Sequence, residues 1–239
     1  DGCISKAVNG ITYAYSWYLD EVAESWDALV LDDYLAVMPL TSKRRFGIWY
    51  LYQPFFTQQL GLFSTQMLSS DLVRIFLESI PSKFRLIDIS LNTFTNSKSI
   101  KGFRVEDRIT YHLDLIEPYA KLYQKYSKNT QRNLAKAIAL QVSVVRGVDL
   151  ATFLKFSRDS MQKLVSVNAL AVMDRLVRKL ISNGRGELYG AYTSTNSLCA
   201  AALFVRSKGK SIYLLANSSE EGIAHRAMFL LIDSFIQKN

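Results

Sequence analysis

The sequence predicts an α+β (mixed α/β) chain of two tandem lobes, each a mostly antiparallel twisted sheet flanked by helices. Three observations predict it. A hairpin, a third strand, a loop and a helix follow one another twice, first across residues 26–80 and again across 187–236. Strand and helix periodicities alternate along the chain with little linker between them. Residues 198–205 are apolar on both faces, the mark of a central strand.

In the first half, residues 26–31 and 34–39 flank Asp32-Asp33 and read as a hairpin. Residues 46–52 supply a third strand. Residues 54–63 form a loop rich in aromatics and glutamine. Ser70 is placed to cap a helix whose Leu72, Ile75 and Phe76 share a face, and Pro81 ends it. Residues 84–91 read as a strand and 92–103 as a polar loop. From 104 to 115 the chain alternates: Val105, Ile109, Tyr111, Leu113 and Leu115 fall on one side, with Asp107 out of pattern. Arg104, Glu106, Arg108, Thr110, His112 and Asp114 fall on the other. This predicts a long half-buried strand.

Pro118 suits the first turn of a helix running to Leu140 with a break near 127–129. A short strand at 141–145 and helices at 149–165 and 168–183 follow. Strands at 187–193, 198–205 and 211–217 and a helix at 223–236 complete the second half. Local chemistry echoes between the halves: Ser42-Lys43 leads into Ile48-Trp49-Tyr50-Leu51, and Ser207-Lys208 into Ile212-Tyr213-Leu214-Leu215. The boundary falls between residues 1–115 and 116–239. A strand follows the helix of the first half. The second half would lack its last strands, or another strand takes their place. With Asp1 in place of an initiator Met, the sequence reads as a piece of a longer chain.

Composition bounds the chemistry. The 239 residues are 49% hydrophobic with a net charge of +8, which favours anionic partners. No apolar run is long enough to span a membrane. Cys3 and Cys199, with only two histidines, show no metal or disulfide spacing, so no metal is expected and a reducing, cytoplasmic setting fits best.

Three stretches can carry function. The first follows the third strand of the second half. Asn217-Ser218-Ser219-Glu220-Glu221-Gly222-Ile223-Ala224-His225-Arg226 runs through a glycine-containing turn into a helix. Such a start offers backbone N–H groups to a pyrophosphate, or is an ordinary start capped by Ser218 or Ser219. The second is the basic series Lys121, Lys125, Lys128, Arg132 and Lys136, one stripe on a helix that is either a solvated face or a seat for an anion. The third is aromatic and amide-rich: Trp49, Tyr50, Tyr52, Phe55, Phe56 and Phe63 with Gln53, Gln58 and Gln59. It is either core or an acceptor pocket.

The antiparallel strands, the central apolar strand and the Gly222-Ile223-Ala224 helix start resemble the GNAT superfamily of N-acyltransferases. The duplication resembles the Fem family of amino-acid transferases, which carry two such lobes. Gln58-Gln59-Leu60-Gly61, Arg132-Asn133-Leu134-Ala135-Lys136-Ala137 and Leu188-Tyr189-Gly190-Ala191 fit that broader group. At Ser219 the chain departs from GNAT loops, which usually carry Arg or Gln there.

The GNAT resemblance implies that acetyl-CoA or another acyl-CoA is the co-substrate and that an amine attacks the thioester directly. Leu214, Leu215, Ala216 and Asn217 would pair with pantetheine, and Gly222, Ile223, Ala224 and Arg226 would hold pyrophosphate. Glu220, Glu221 or His225 would act as base, and Tyr213 would protonate the leaving thiolate. Trp49, Tyr52, Phe56, Gln58, Gln59, Arg132 and Lys136 would bind a small-molecule or peptide-like amine acceptor. The Fem resemblance implies aminoacyl-tRNA as donor instead. The remaining alternative is an inactive double lobe that binds an anionic or peptide-like ligand.

Overall fold

A computed structural model describes residues 1–95, 100 and 102–239. Part of the polar loop expected at 92–103 therefore lies outside the described residues. The chain divides into two units, Asp1–Arg108 with Ser207–Lys210, and Ile109–Arg206 with Ser211–Asn239. Both sheets are mainly antiparallel and flanked by helices.

Unit 1 opens with helix α1 (Gly2–Lys6), a 3-10 turn (Thr12–Ala14) and helix α2 (Ser16–Val22). Strands β1 (Ser25–Leu31) and β2 (Ala36–Arg45) form the expected hairpin, with Leu31 opposite Ala36. Strand β3 (Ile48–Leu51) starts two residues later than the sequence suggests, because Phe46 (φ 50°) and Gly47 (φ 79°) form the turn. Two successive positive φ angles match the right-handed twist of the flanking strands. Strand β4 (Phe63–Ser64) pairs with the start of β2, and strand β5 (Phe84–Ile87) lies parallel to β3. Helix α3 (Ser70–Glu78) connects them. Its cap is Ser69, which accepts from the Leu72 amide, rather than Ser70. Its buried face is Val73, Phe76 and Leu77, while Ile75 is exposed. These pack with Met38, Leu40, Leu51, Leu62 and Phe84 in the core.

In unit 2, helices α4 (Tyr119–Gln124) and α5 (Lys128–Ala139) are separated by the turn at 125–127, where Ser127 caps α5. The basic series is thus split between two helices and is not one continuous stripe. Strand β6 (Ser143–Arg146), helices α6 (Leu150–Met161) and α7 (Val167–Ser182), and strands β7 (Gly186–Tyr192), β8 (Leu198–Ser207) and β9 (Lys210–Ser218) follow. The sheet order is β6-β7-β8-β9. Small residues in β8, Cys199 to Ala202, are fully buried and let elements approach closely on both faces. Helices α8 (Glu220–Ala224) and α9 (Ala227–Gln237) replace the single helix expected at 223–236. Arg226 stands between them with φ 58°, a left-handed geometry that an α-helix cannot contain. The aromatic centre is Phe204 stacked on Phe235 at 3.7 Å, with Tyr189 edge-on to both.

Two further expectations are corrected. The turn Lys208-Gly209, with φ 53° and 68°, matches Phe46-Gly47 and not Ser42-Lys43. The repeated device is therefore a pair of positive φ angles between the last two strands of each meander. Residues 104–115 belong to no strand. From 103 to 116 the chain runs without turn or bend, and most of its side chains are exposed. Alternation marks a strand only where a partner ladder and a covering layer exist, and among the described residues neither is present.

Asp233 of α9 ties α4 and α5 down. Its carboxylate accepts from the Tyr119 hydroxyl (3.0 Å to either oxygen) and from the Tyr126 hydroxyl (3.0 Å). The Tyr123 ring lies 5.9 Å from that of Tyr119 and 5.4 Å from that of Tyr126. Lost hydration and then the Asp233 carboxylate push Tyr119 up to about 12, and raise Tyr126 as well. Asp233→Ala should cost about 2 kcal/mol in urea unfolding, the cost of losing hydrogen bonds to a charged group. Both tyrosines favour protonation in the folded state. Their contribution is present at neutral pH and is lost as pH rises from about 10, the unfolded value, through about 12. Stability followed across that window should fall less steeply in Asp233→Ala than in the parent.

Candidate active site

The unit running from β9 through α8 into α9 carries most of the predicted site residues. Its loop is held by one carbonyl. Cys199 O accepts from the Ser219 amide (2.9 Å) and the Ser219 hydroxyl (3.2 Å). Ser219 Oγ in turn accepts from the Gly222 amide at 3.1 Å. A Cβ built at Gly222 would stand 2.0 Å from Cys199 O. Glycine is needed here so that α8 can seat on the backbone of β8. Its N–H is already satisfied by Ser219 Oγ. With only five residues in α8, Ser219 as its cap and two acids in its first turn, the arrangement is that of a capped helix start.

The other predicted residues of this unit divide by exposure. Glu220, Glu221, Ala216, Ile223 and Ala224 are exposed, Leu214 is half-buried and Leu215 is buried. His225 closes α8, its Nδ1 2.8 Å from Glu221 O, which occupies the ring in a local bond. Tyr213 packs its ring 5.3 Å from Phe204, and loss of hydration pushes its hydroxyl up to about 12, so it stays protonated at neutral pH. Burial raises the Cys199 thiol, with Glu221 adding to the effect, and raises the Cys3 thiol too. Neither is an activated thiolate.

Two donors stand out. Asn217 Nδ2 and Arg226 Nε are buried and have no hydrogen-bond partner among the described residues. A buried donor without an acceptor costs about 1–3 kcal/mol, so a ligand oxygen that met either would be held well. Both lie at ends of the loop, where β9 stops and where α9 starts. β9 is also an edge strand. In unit 1 the last strand of the meander, β3, is covered by β5, whereas no strand among the described residues covers the outer side of β9.

The aromatic and amide set belongs to unit 1 and is largely structural. Gln53 Nε2 donates to Thr57 O (2.8 Å) and its Oε1 accepts from the Ser90 amide (2.9 Å). Buried Gln59 accepts from the Thr93 amide at 3.3 Å and donates to the exposed Gln58 at 3.2 Å. Phe56 takes φ 63°, and its carbonyl accepts from the Tyr18 hydroxyl. The Tyr52 hydroxyl accepts from the Glu24 amide at 3.2 Å, with Lys43 over its ring. Trp49 packs against the unit 1 core. The sequence reading missed two buried asparagines that hold the same loop. Asn9 donates to Leu62 O (2.7 Å), and Asn92 to Leu60 O (3.0 Å) and Leu62 O (2.9 Å). Their only signal was the residue type. A cavity of about 260 Å³ opens beside Asn9, lined by Val8, Ser64, Met67 and Phe94.

On α5, Lys128, Arg132 and Lys136 are spaced four apart and exposed, and neither α4 nor α5 contains a carboxylate. Lys121 is exposed on α4, and Lys125 pairs with Glu117. Among the described residues no cluster of three His, Cys, Asp or Glu is placed to hold a metal, and no helix is long and apolar enough to cross a membrane.

No protein-family model matches the chain, and no curated protein matches it. A crystal structure of FemX is similar to it, with a TM-score of 0.66 at 12% identity over 99% of this chain and 82% of that one. At that identity the likeness is one of fold: the chain has a two-lobed Fem-like fold.

Gly222→Ala should cost about 2 kcal/mol or more, because the clash is with backbone and not with a flexible side chain. Urea unfolding beside the exposed-site control Ala224→Ser, which should change little, checks it.

Proposed function

We propose that the chain is a Fem-like transferase that moves an aminoacyl group from tRNA to a small-molecule or peptide-like amine by direct attack. The observation that carries the reading is the pair of buried, unpartnered donors, Asn217 Nδ2 and Arg226 Nε, on the β9–α9 unit of a Fem-like fold. The amine nitrogen bonds to the acyl carbon, the ester C–O bond breaks, and the amine proton passes to the departing oxygen. Donors fixed before the reaction stabilise the oxyanion that develops. Tyr213 keeps its proton at neutral pH and is suited to protonate the leaving oxygen. Glu220 and Glu221 are exposed carboxylates able to accept the amine proton. No covalent enzyme intermediate is required, in keeping with the raised thiols of Cys3 and Cys199.

The exposed cations Lys128, Arg132 and Lys136, on a helix without carboxylates, favour a polyanionic carrier. Aminoacyl-tRNA binding followed against salt tests this. Affinity should fall linearly on logarithmic axes. The triple change Lys128→Glu, Arg132→Glu and Lys136→Glu should weaken binding and flatten the slope by about 2–3. Binding that is absent at low salt would remove tRNA as the carrier. Transfer of a labelled aminoacyl group should then drop about a hundredfold in Asn217→Ala, the scale of losing one oxyanion donor.

A second reading, acyl-CoA as donor, is favoured by the uncovered edge of β9. Backbone groups at Leu214, Leu215, Ala216 and Asn217 can pair with pantetheine amides there as an added strand would. Acyl-CoA at a hundred times its Kd should raise stability by about 2.7 kcal/mol. Unchanged thermal stability with several acyl-CoAs would sink this reading.

A further inference from the structure

We propose that the β2–β3 hairpin tip of unit 1 and the neighbouring strand β5 dock on an anionic lipid surface. Phe46 and Ile48 enter the headgroup layer, and Arg44, Arg45, Lys83 and Arg85 meet the lipid phosphates and carboxylates. The proposal does not depend on the transferase reading. Its starting point is the residue at the apex of the turn. Phe46 takes φ 50° beside Gly47 at φ 79°. Turns of this kind favour Asn or Asp followed by Gly, and a bulky side chain at a left-handed angle is strained. Burial does not offset the strain, because Phe46 is 88% exposed. A local rule broken at an exposed position marks a residue with a role outside the fold.

The surroundings select the partner. Ile48 lies opposite Arg45 and Leu86 beside Tyr50, so these four share the face of the sheet turned away from Trp49 and the core. Ile48 is 52% exposed and Leu86 62%. Arg44 and Arg45 at the end of β2, Lys83 just before β5 and Arg85 within it are exposed too. β2, β3 and β5 contain no carboxylate, and among the described residues none of these four cations forms an ion pair. Lys43, farther from the tip, is instead paired with Glu24 at 2.8 Å. Apolar residues ringed by unneutralised cations match the two attractions of an anionic bilayer. The apolar side chains bury at the boundary of headgroup and acyl chain, while Lys and Arg keep their charges among the headgroups. A single-stranded nucleic acid fits this surface less well. Bases stack on open aromatic faces, whereas Ile48 and Leu86 are aliphatic and the Arg45 guanidinium already lies 5.1 Å from the centre of the Phe46 ring.

Vesicle flotation with the full chain tests this. The chain should bind vesicles of phosphatidylserine mixed with phosphatidylcholine and not those of phosphatidylcholine alone, and added salt should weaken the binding. Phe46→Asn gives the turn a side chain that it favours, so stability in urea should hold while vesicle affinity falls about tenfold, the scale of one aromatic side chain no longer buried. Arg44→Ala with Arg45→Ala should weaken binding about 25-fold, since each cation near such a surface contributes about fivefold. Absence of binding to the mixed vesicles at low salt would overturn the proposal. So would binding that survives both tip variants, which would place the contact elsewhere, with the cations of α5 as the alternative. Tip variants that lose polyuridylate binding and leave vesicle binding intact would assign the surface to nucleic acid instead.

Discussion

The Cys199 carbonyl sets the terms for unit 2. It lies in a strand packed on both faces, and it accepts both the amide and the hydroxyl of Ser219. Ser219 then caps Gly222, whose missing side chain lets α8 rest on β8. α8 ends at Ala224, and Arg226 turns left-handed before α9 starts. Asn217 Nδ2 and Arg226 Nε, at the two ends of this loop, are buried donors that meet no protein acceptor among the described residues.

The two units solve one problem differently. Each sheet contains a three-strand meander whose final turn takes two positive φ angles, Phe46-Gly47 in one sheet and Lys208-Gly209 in the other. In unit 1 the last strand of the meander is covered by the parallel β5. In unit 2 the added strand β6 lies on the opposite side, beside β7, so β9 keeps an open edge. An edge is where an extended ligand gains backbone hydrogen bonds. The duplicated architecture therefore yields one covered sheet and one that offers an edge, and the candidate site residues on β9 are along that edge.

Much of the fold was legible because it rests on local rules. Periodicity located the meanders, Ser127 and the turn before it the α4–α5 break, and the apolar run of β8 the central strand. The long segment 104–115 shows where such rules stop. Its alternation is as regular as any in the chain, yet pairing depends on what lies alongside, which local pattern does not encode. The site was less legible for the same reason. Gly222 signals a close approach but not whether backbone or ligand makes it. Gln53 and Gln59 look like binding groups until their partners, Thr57, Ser90 and Thr93, are seen to be in the protein.

By itself the sequence determined the two-lobed α+β architecture, the elements of each meander and the cationic face of α5, because hydrophobic period and charge spacing act over a few residues. Tertiary structure alone decided that the helix after β9 breaks at Arg226, that Gly222 packs against Cys199, that Asn9 and Asn92 bracket the aromatic loop, and that 104–115 forms no strand among the described residues. Each of these depends on a contact between residues far apart in sequence or on the absence of one, and close packing, not local preference, settles which occurs.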